Sequence, residues 1–170
     1  FSVDKLALES DSGPEPPLVY VDEDESDALD DALTTPPEGL ERAISFFLVA
    51  AAAQYITDPK AGRASQNLLC HTSHKMAEHR RFDALIKEFL STFEDQLAAG
   101  NGRAVNLVNR GYDELARTVS ELPPRDEIIE DILDRLPRRR IRLVNSEGAA
   151  AAEAAGAPNF IIGGNIVGRG

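Results

Sequence analysis

The chain is poor in cysteine, in long apolar runs and in nucleotide-binding glycine patterns, and each shortage narrows what it can be. Its single cysteine, Cys70, lies inside an apolar run. No disulfide framework can form, and a reducing, cytoplasmic setting is expected. The start, Phe1-Ser2-Val3-Asp4, has no basic stretch followed by an apolar one and does not read as a signal peptide. The longest apolar stretch, Ala43 to Ala53, is interrupted by Ser45. It falls short of the about 20 residues that span a bilayer, so no membrane partner is expected. The dinucleotide fingerprint G-x-G-x-x-G is absent.

What is present suffices for one ordinary domain with a real core: 170 residues, 42% of them hydrophobic. The net charge of -11 is unevenly placed. Residues 1–39 hold twelve acids and one lysine, while the other 131 residues hold seventeen of each sign. The acidity therefore belongs to a leader, and total charge neither supports nor excludes a phosphate-bearing partner.

Residues 1–37 read as an acidic, proline-rich leader with one candidate short strand, Leu18-Val19-Tyr20-Val21. Its acid run, Asp22 to Asp27, lacks the glycine and terminal glutamate of a calcium loop and is read as a solvated loop. After Pro36-Pro37 a helix is predicted from Glu38 to Thr57, apolar nearly all round and stopped by Asp58-Pro59. A short strand follows, Asn67 to His71, then an amphipathic helix from His74 to Ala99. Phe82, Leu85, Ile86, Phe89, Leu90, Phe93 and Leu97 form its stripe, Ser73 caps it and Gly100 closes it.

Two more helices are predicted within about 103–136. Val105, Val108, Tyr112, Leu115 and Val119 mark the first, and Ile128, Ile129, Ile132, Leu133 and Leu136 the second. Pro124 fits the first turn of the second. Arg140 to Asn145 reads as a strand, Ala149 to Ala155 as a short alanine-rich helix, and Asn159 to Gly163 as the last strand. This alternation predicts an α/β fold with a parallel sheet, whose ligands bind beyond the strands' carboxyl ends. Those ends, His71-Thr72-Ser73, Asn145-Ser146 and Gly163-Gly164-Asn165, should share one edge.

Gly163 to Gly168 has the spacing of a phosphate loop, but Arg169 stands where its lysine should be and Gly170 where its hydroxyl should be. His71, His74 and His79, with Glu78, invite a metal reading, yet no thiolate cluster or helical histidine pair supports it. They read instead as strand-end and helix-surface polar groups. His71-Thr72-Ser73, ahead of a helix amino terminus, suits an anion such as a backbone phosphate. Arg138 to Arg142 is either a nucleic-acid patch or a solvated strand entrance after a helix. Cys70 reads as core rather than nucleophile. Because natural domains rarely end on a glycine loop, the chain is expected to be a piece of a larger protein.

Three stretches, in order, carry a resemblance to a known family: Gly39 to Ala50, Asn67 to Ser73, and Ile161-Ile162-Gly163-Gly164-Asn165-Ile166-Val167-Gly168-Arg169-Gly170. They resemble the Z-one endonuclease domain found beside superfamily II helicase modules in bacterial restriction-modification loci, from about Gly39 onward. The resemblance implies a RecA-like second helicase lobe over 38–170, truncated at its carboxyl end, with a helical insertion at about 103–136. In such a lobe His71, Thr72, Ser73, Gly163, Gly164, Asn165, Arg169 and Gly170 face nucleic acid or the partner lobe. Arg169 and Gly170 match the helicase loop. Gly164 stands where many helicases have a threonine, and Asn165 where they have an acid.

The same resemblance implies DNA and a preceding helicase lobe as partners, with ATP and magnesium used by the parent protein. The phosphate loop, the metal-binding acids and the later arginine finger would lie outside this chain, and no cofactor or catalytic residue is expected within it. The alternative is a non-enzymatic interaction or scaffold domain with a degenerate cleft, its acidic leader holding a basic partner.

Overall fold

Helix α1 spans Glu38–Thr57, the limits predicted for it, and the chemistry of both ends explains them. Pro37 stands at its amino end, and Glu38 and Glu41 in the first turn face the positive pole of the helix dipole. Asp58 closes the other end through a backbone bond to Gln54 at 2.8 Å, before Pro59. Ile44, Leu48, Val49, Ala52 and Ala53 are all buried, as an all-round apolar pattern requires.

The computed structural model describes residues 36–60, 66–71, 76–144 and 156–163. The candidate strand Leu18–Val21 and the alanine-rich stretch Ala149–Ala155 lie outside the described residues, as does almost all of the leader. Strand β1 (Gln66–His71) is followed by α2 (Met76–Ala98), α3 (Gly102–Leu115) and α4 (Arg125–Arg135). A single 3-10 turn (Leu136–Arg138) then leads into β2 (Arg140–Val144), and β3 (Pro158–Gly163) comes last.

The corner between α2 and α3 takes three residues, Ala99 to Asn101. Gly100 adopts φ +65, which glycine reaches without strain, and its amide bonds Leu97 O at 3.0 Å. Asn101 then caps α3, its side chain accepting from the Arg103 amide at 3.0 Å. Six of the seven predicted stripe residues of α2 are buried, and Phe89 packs against them.

Two expectations fail here. Val119 is no helix-face residue, because α3 stops at Leu115 and leaves Val119 39% exposed. The buried face of α3 runs instead through Ala104, Leu107, Val108, Gly111 and Leu115. Nor does Pro124 enter the first turn of α4: it occupies the N-cap position, and Arg125 is the first helical residue.

All three strands are parallel, in the order β1-β3-β2. The architecture is therefore α/β, a small parallel sheet packed with helices. One sheet face supplies Leu68, Cys70, Phe160, Ile162, Ile141 and Leu143 to the hydrophobic core, where Leu48, Ile86, Leu90, Phe93 and Ile132 meet them. Phe160 is wholly buried at the centre, with the Phe47 ring edge-on to it at 5.5 Å. Burying such a ring contributes about 2–3 kcal/mol. No described helix is long and apolar enough to cross a membrane.

Candidate functional site

The register decides what the two edges of the sheet carry. At the carboxyl edge His71 of β1 pairs with Gly163 of β3, and Gly163 pairs with Val144 of β2. Two of the expected strand ends, at His71 and Gly163, thus meet in one row with Val144, about 10 Å wide at ordinary strand spacing, while Asn145 and Ser146 lie outside the described residues. Of the predicted site residues, the structure brings His71 and Gly163 together. Thr72, Ser73, Gly164, Asn165, Arg169 and Gly170 lie outside the described residues. The row is backbone-rich: Gly163 has no side chain, so any partner can approach the main chain closely there.

The amino edge is sealed by polar groups that satisfy one another. Arg135, 3% exposed at the end of α4, donates from Nε to Asp131 Oδ2 at 2.7 Å and from a terminal nitrogen to Gln66 Oε1 at 3.1 Å. Its guanidinium also lies 4.5 Å from the Tyr55 ring centroid. Gln66 in turn donates to Ala51 O at 3.0 Å, tying β1 to α1. Asn159, fully buried, donates to Gln66 O at 3.3 Å and Ala157 O at 3.1 Å. Burial pushes the Asp131 carboxyl up, against the opposing pull of the Arg135 hydrogen bond and charge. None of these groups was singled out from the sequence. A polar residue opening an apolar strand, as Gln66 and Asn159 do, was the available signal.

The arginine run divides in two. Arg138 pairs with Asp134 one turn back, as a solvated helix end would. Arg139 crosses to Glu94 of α2 and bonds Leu136 O at 3.0 Å. Arg140 and Arg142 sit two apart on β2, so they share a sheet face. Neither makes an ion pair with a described residue.

His79 is not the helix-surface group expected of it but is 4% exposed. It falls three residues before Phe82 and seven before Ile86, which places it on the buried stripe of α2. Among the described residues no three histidine, cysteine, aspartate or glutamate side chains come together as a metal-holding group. Cys70 is buried in β1, where desolvation lifts its thiol from 9.0 to about 11. It is a core residue, with too little thiolate at neutral pH to act as a nucleophile.

No curated protein and no solved structure matches the chain. A family model does match, that of the Z1 domain, over residues 39–170. The match begins at the start of α1 and takes in all three strands and the glycine-rich passage beyond β3, so the chain belongs to the Z1 domain family.

Proposed function

We propose that this Z1 domain is the second, RecA-like lobe of an ATP-dependent DNA-acting protein of a bacterial restriction-modification or defence system. The observation that carries the reading is the parallel alignment of His71, Gly163 and Val144 at one sheet edge. In open α/β sheets that edge is where ligands bind. The site comprises His71, Thr72, Ser73, Gly163, Gly164, Asn165, Arg169 and Gly170, facing DNA or the preceding lobe of the same protein. Backbone amides after β1 and β3 would hold phosphate oxygens, and Arg169 would add a fixed cation.

ATP and magnesium belong, on this reading, to the cleft between the lobes, with their ligands on the other lobe. The lobe by itself would not turn over ATP, because phosphoryl transfer needs groups from both sides of the cleft. Its work would be to couple nucleotide state to DNA contact in the cytoplasm.

The test is ATP hydrolysis by the full-length protein, with and without duplex DNA, for wild type and Arg169→Ala. DNA-stimulated turnover that falls at least tenfold in the variant supports the coupling role. Absence of turnover in wild type under both conditions would sink the motor reading and favour an interaction domain with a degenerate cleft.

A further inference from the structure

Which face of a strand points inward and which residues stand side by side are decided by different groups in this sheet. On the core side β1 presents Leu68 and Cys70, β3 presents Phe160 and Ile162, and β2 presents Ile141 and Leu143. Sliding a strand by one residue would turn its apolar set to the other face, so the hydrophobic pattern forbids odd steps. It does not forbid even ones. If β3 moved two residues toward the amino edge, Leu68 would meet Ile162 instead of Phe160, and Leu69 would meet Gly163. Apolar side chains of similar size repack with modest loss, so shape alone separates these registers weakly.

Polar groups separate them sharply. Gln66 opens β1 on the core side and is 8% exposed. Its side chain donates to Ala51 O at 3.0 Å and to Gln54 Oε1 at 3.3 Å, both on α1, and accepts from Arg135 of α4 at 3.1 Å. Its main-chain carbonyl accepts from the fully buried Asn159 of β3 at 3.3 Å, and the same Asn159 amide donates to Ala157 O at 3.1 Å. A chain of bonds therefore runs from α1 and α4 to β1 and on to β3. A two-residue step of β1 would bring Leu68 to the place of Gln66 and take an acceptor from the buried Arg135 guanidinium. A two-residue step of β3 would part Asn159 from the Gln66 carbonyl. Buried polar groups left unmet are penalised far more than apolar mismatches, which is how a buried polar residue can fix a register.

We propose that Gln66 and Asn159 are positioning residues: from the amino edge they hold β1 and β3 in the one register that sets Gly163 between His71 and Val144. The two edges lie about 17 Å apart along these strands at the ordinary rise per residue. The make-up of the carboxyl edge is thus decided at the opposite end of the sheet. Its consequence for a binding site rests on the proposed function, whereas the register does not. Disulfide trapping reads the register without ATP or DNA, so the two can fail separately.

In a Cys70→Ala background of the full protein, Ile161→Cys is combined in turn with Asn67→Cys, Leu69→Cys and His71→Cys, successive residues on one face of β1. Leu69 is the register partner of Ile161 and lies within disulfide reach at ordinary strand spacing. Asn67 and His71 are its diagonal neighbours, about 8 Å away and too far to bridge. After mild oxidation only the Leu69 pair should close when Gln66 and Asn159 are intact.

Adding Asn159→Leu or Gln66→Met should lower that yield at least twofold and raise trapping at Asn67 or His71 at least fivefold. Gln66→Met keeps the side-chain volume and lies on the other strand, so it tests the lock even if Asn159→Leu does not fold. Phe160→Leu weakens β3 through packing alone and should leave trapping at Leu69 only. Trapping at Leu69 alone in the Asn159 and Gln66 variants would overturn the proposal. The same redistribution in Phe160→Leu would also overturn it, because any loosening of the strand would then shift the register.

Discussion

A methyl group added at Gly111 of α3 would sit 3.2 Å from the Phe46 Cα of α1, and 3.4 Å from both the Phe46 amide nitrogen and the Ser45 carbonyl oxygen. The two helices cross here backbone to backbone. Alanine in a helix interior gains about 1 kcal/mol over glycine. Overpacking costs about 1–3 kcal/mol, and the neighbours here are backbone atoms that cannot rotate away. Gly111→Ala is therefore expected to lose about 1 kcal/mol in urea unfolding, and Gly111→Val more. A stabilised Gly111→Ala protein would mean that the helix pair slides apart at little cost.

Helices α1 and α3 are also joined by ion pairs of unequal weight. Both carboxylate oxygens of Glu41 accept from Arg103, at 2.8 and 2.9 Å, and the Glu41 side chain is only 7% exposed. Arg103→Ala strands a buried carboxylate and should cost about 1–3 kcal/mol. Arg110 and Glu38, both more than half exposed, make a similar contact at 2.9 Å. Arg110→Ala should stay within about 0.5 kcal/mol of wild type in the same unfolding assay. Equal losses would refute the ranking.

The buried pair of Arg135 and Asp131 predicts a strong asymmetry between single and double changes. Arg135→Ala leaves a carboxyl already raised by burial without its cation, at a cost of about 3–5 kcal/mol. Replacing both partners, Arg135→Met with Asp131→Leu, removes the unpaired charge and should recover more than half of that loss. Gln66 would still keep its bond to Ala51 O. A double variant as unstable as the single one would show that packing around Tyr55, rather than charge, dominates.

Cys70 gives the pH dependence. Desolvation in the core pushes its thiol from the ordinary 9.0 up to about 11 in the folded state. The stability it contributes is complete below about pH 9 and is lost as pH rises through about 11. Two units correspond to about 3 kcal/mol. Cys70→Ala should flatten this alkaline loss in a pH series of unfolding curves. At pH 8 the native thiol should react with a disulfide reagent at least 100-fold more slowly than in denaturant.

Much of the helical framework was legible because its signals are local. Pro36-Pro37 and Asp58-Pro59 bracket α1, Gly100 marks the end of α2, and the spacing from Phe82 to Leu97 names the buried stripe of α2. Val119 misled because its spacing continues the stripe of α3 although the helix has already ended at Leu115. His79 misled because its residue type outweighed its position on the α2 stripe.

Of the candidate site, the strand ends could be read from the chain and their meeting could be expected, but not their order. Residue patterns determined by themselves that this protein has a long buried helix, an amphipathic helix and three short strands ending in polar or glycine residues. Propensity, capping and hydrophobic period act within a few residues, so they are written locally. Only the tertiary structure decided that β3 lies between β1 and β2, that Gly163 stands between His71 and Val144, and that Arg135 reaches Gln66. Those relationships join residues distant in the chain, and competition between alternative packings of the same elements selects them. No local pattern records that competition.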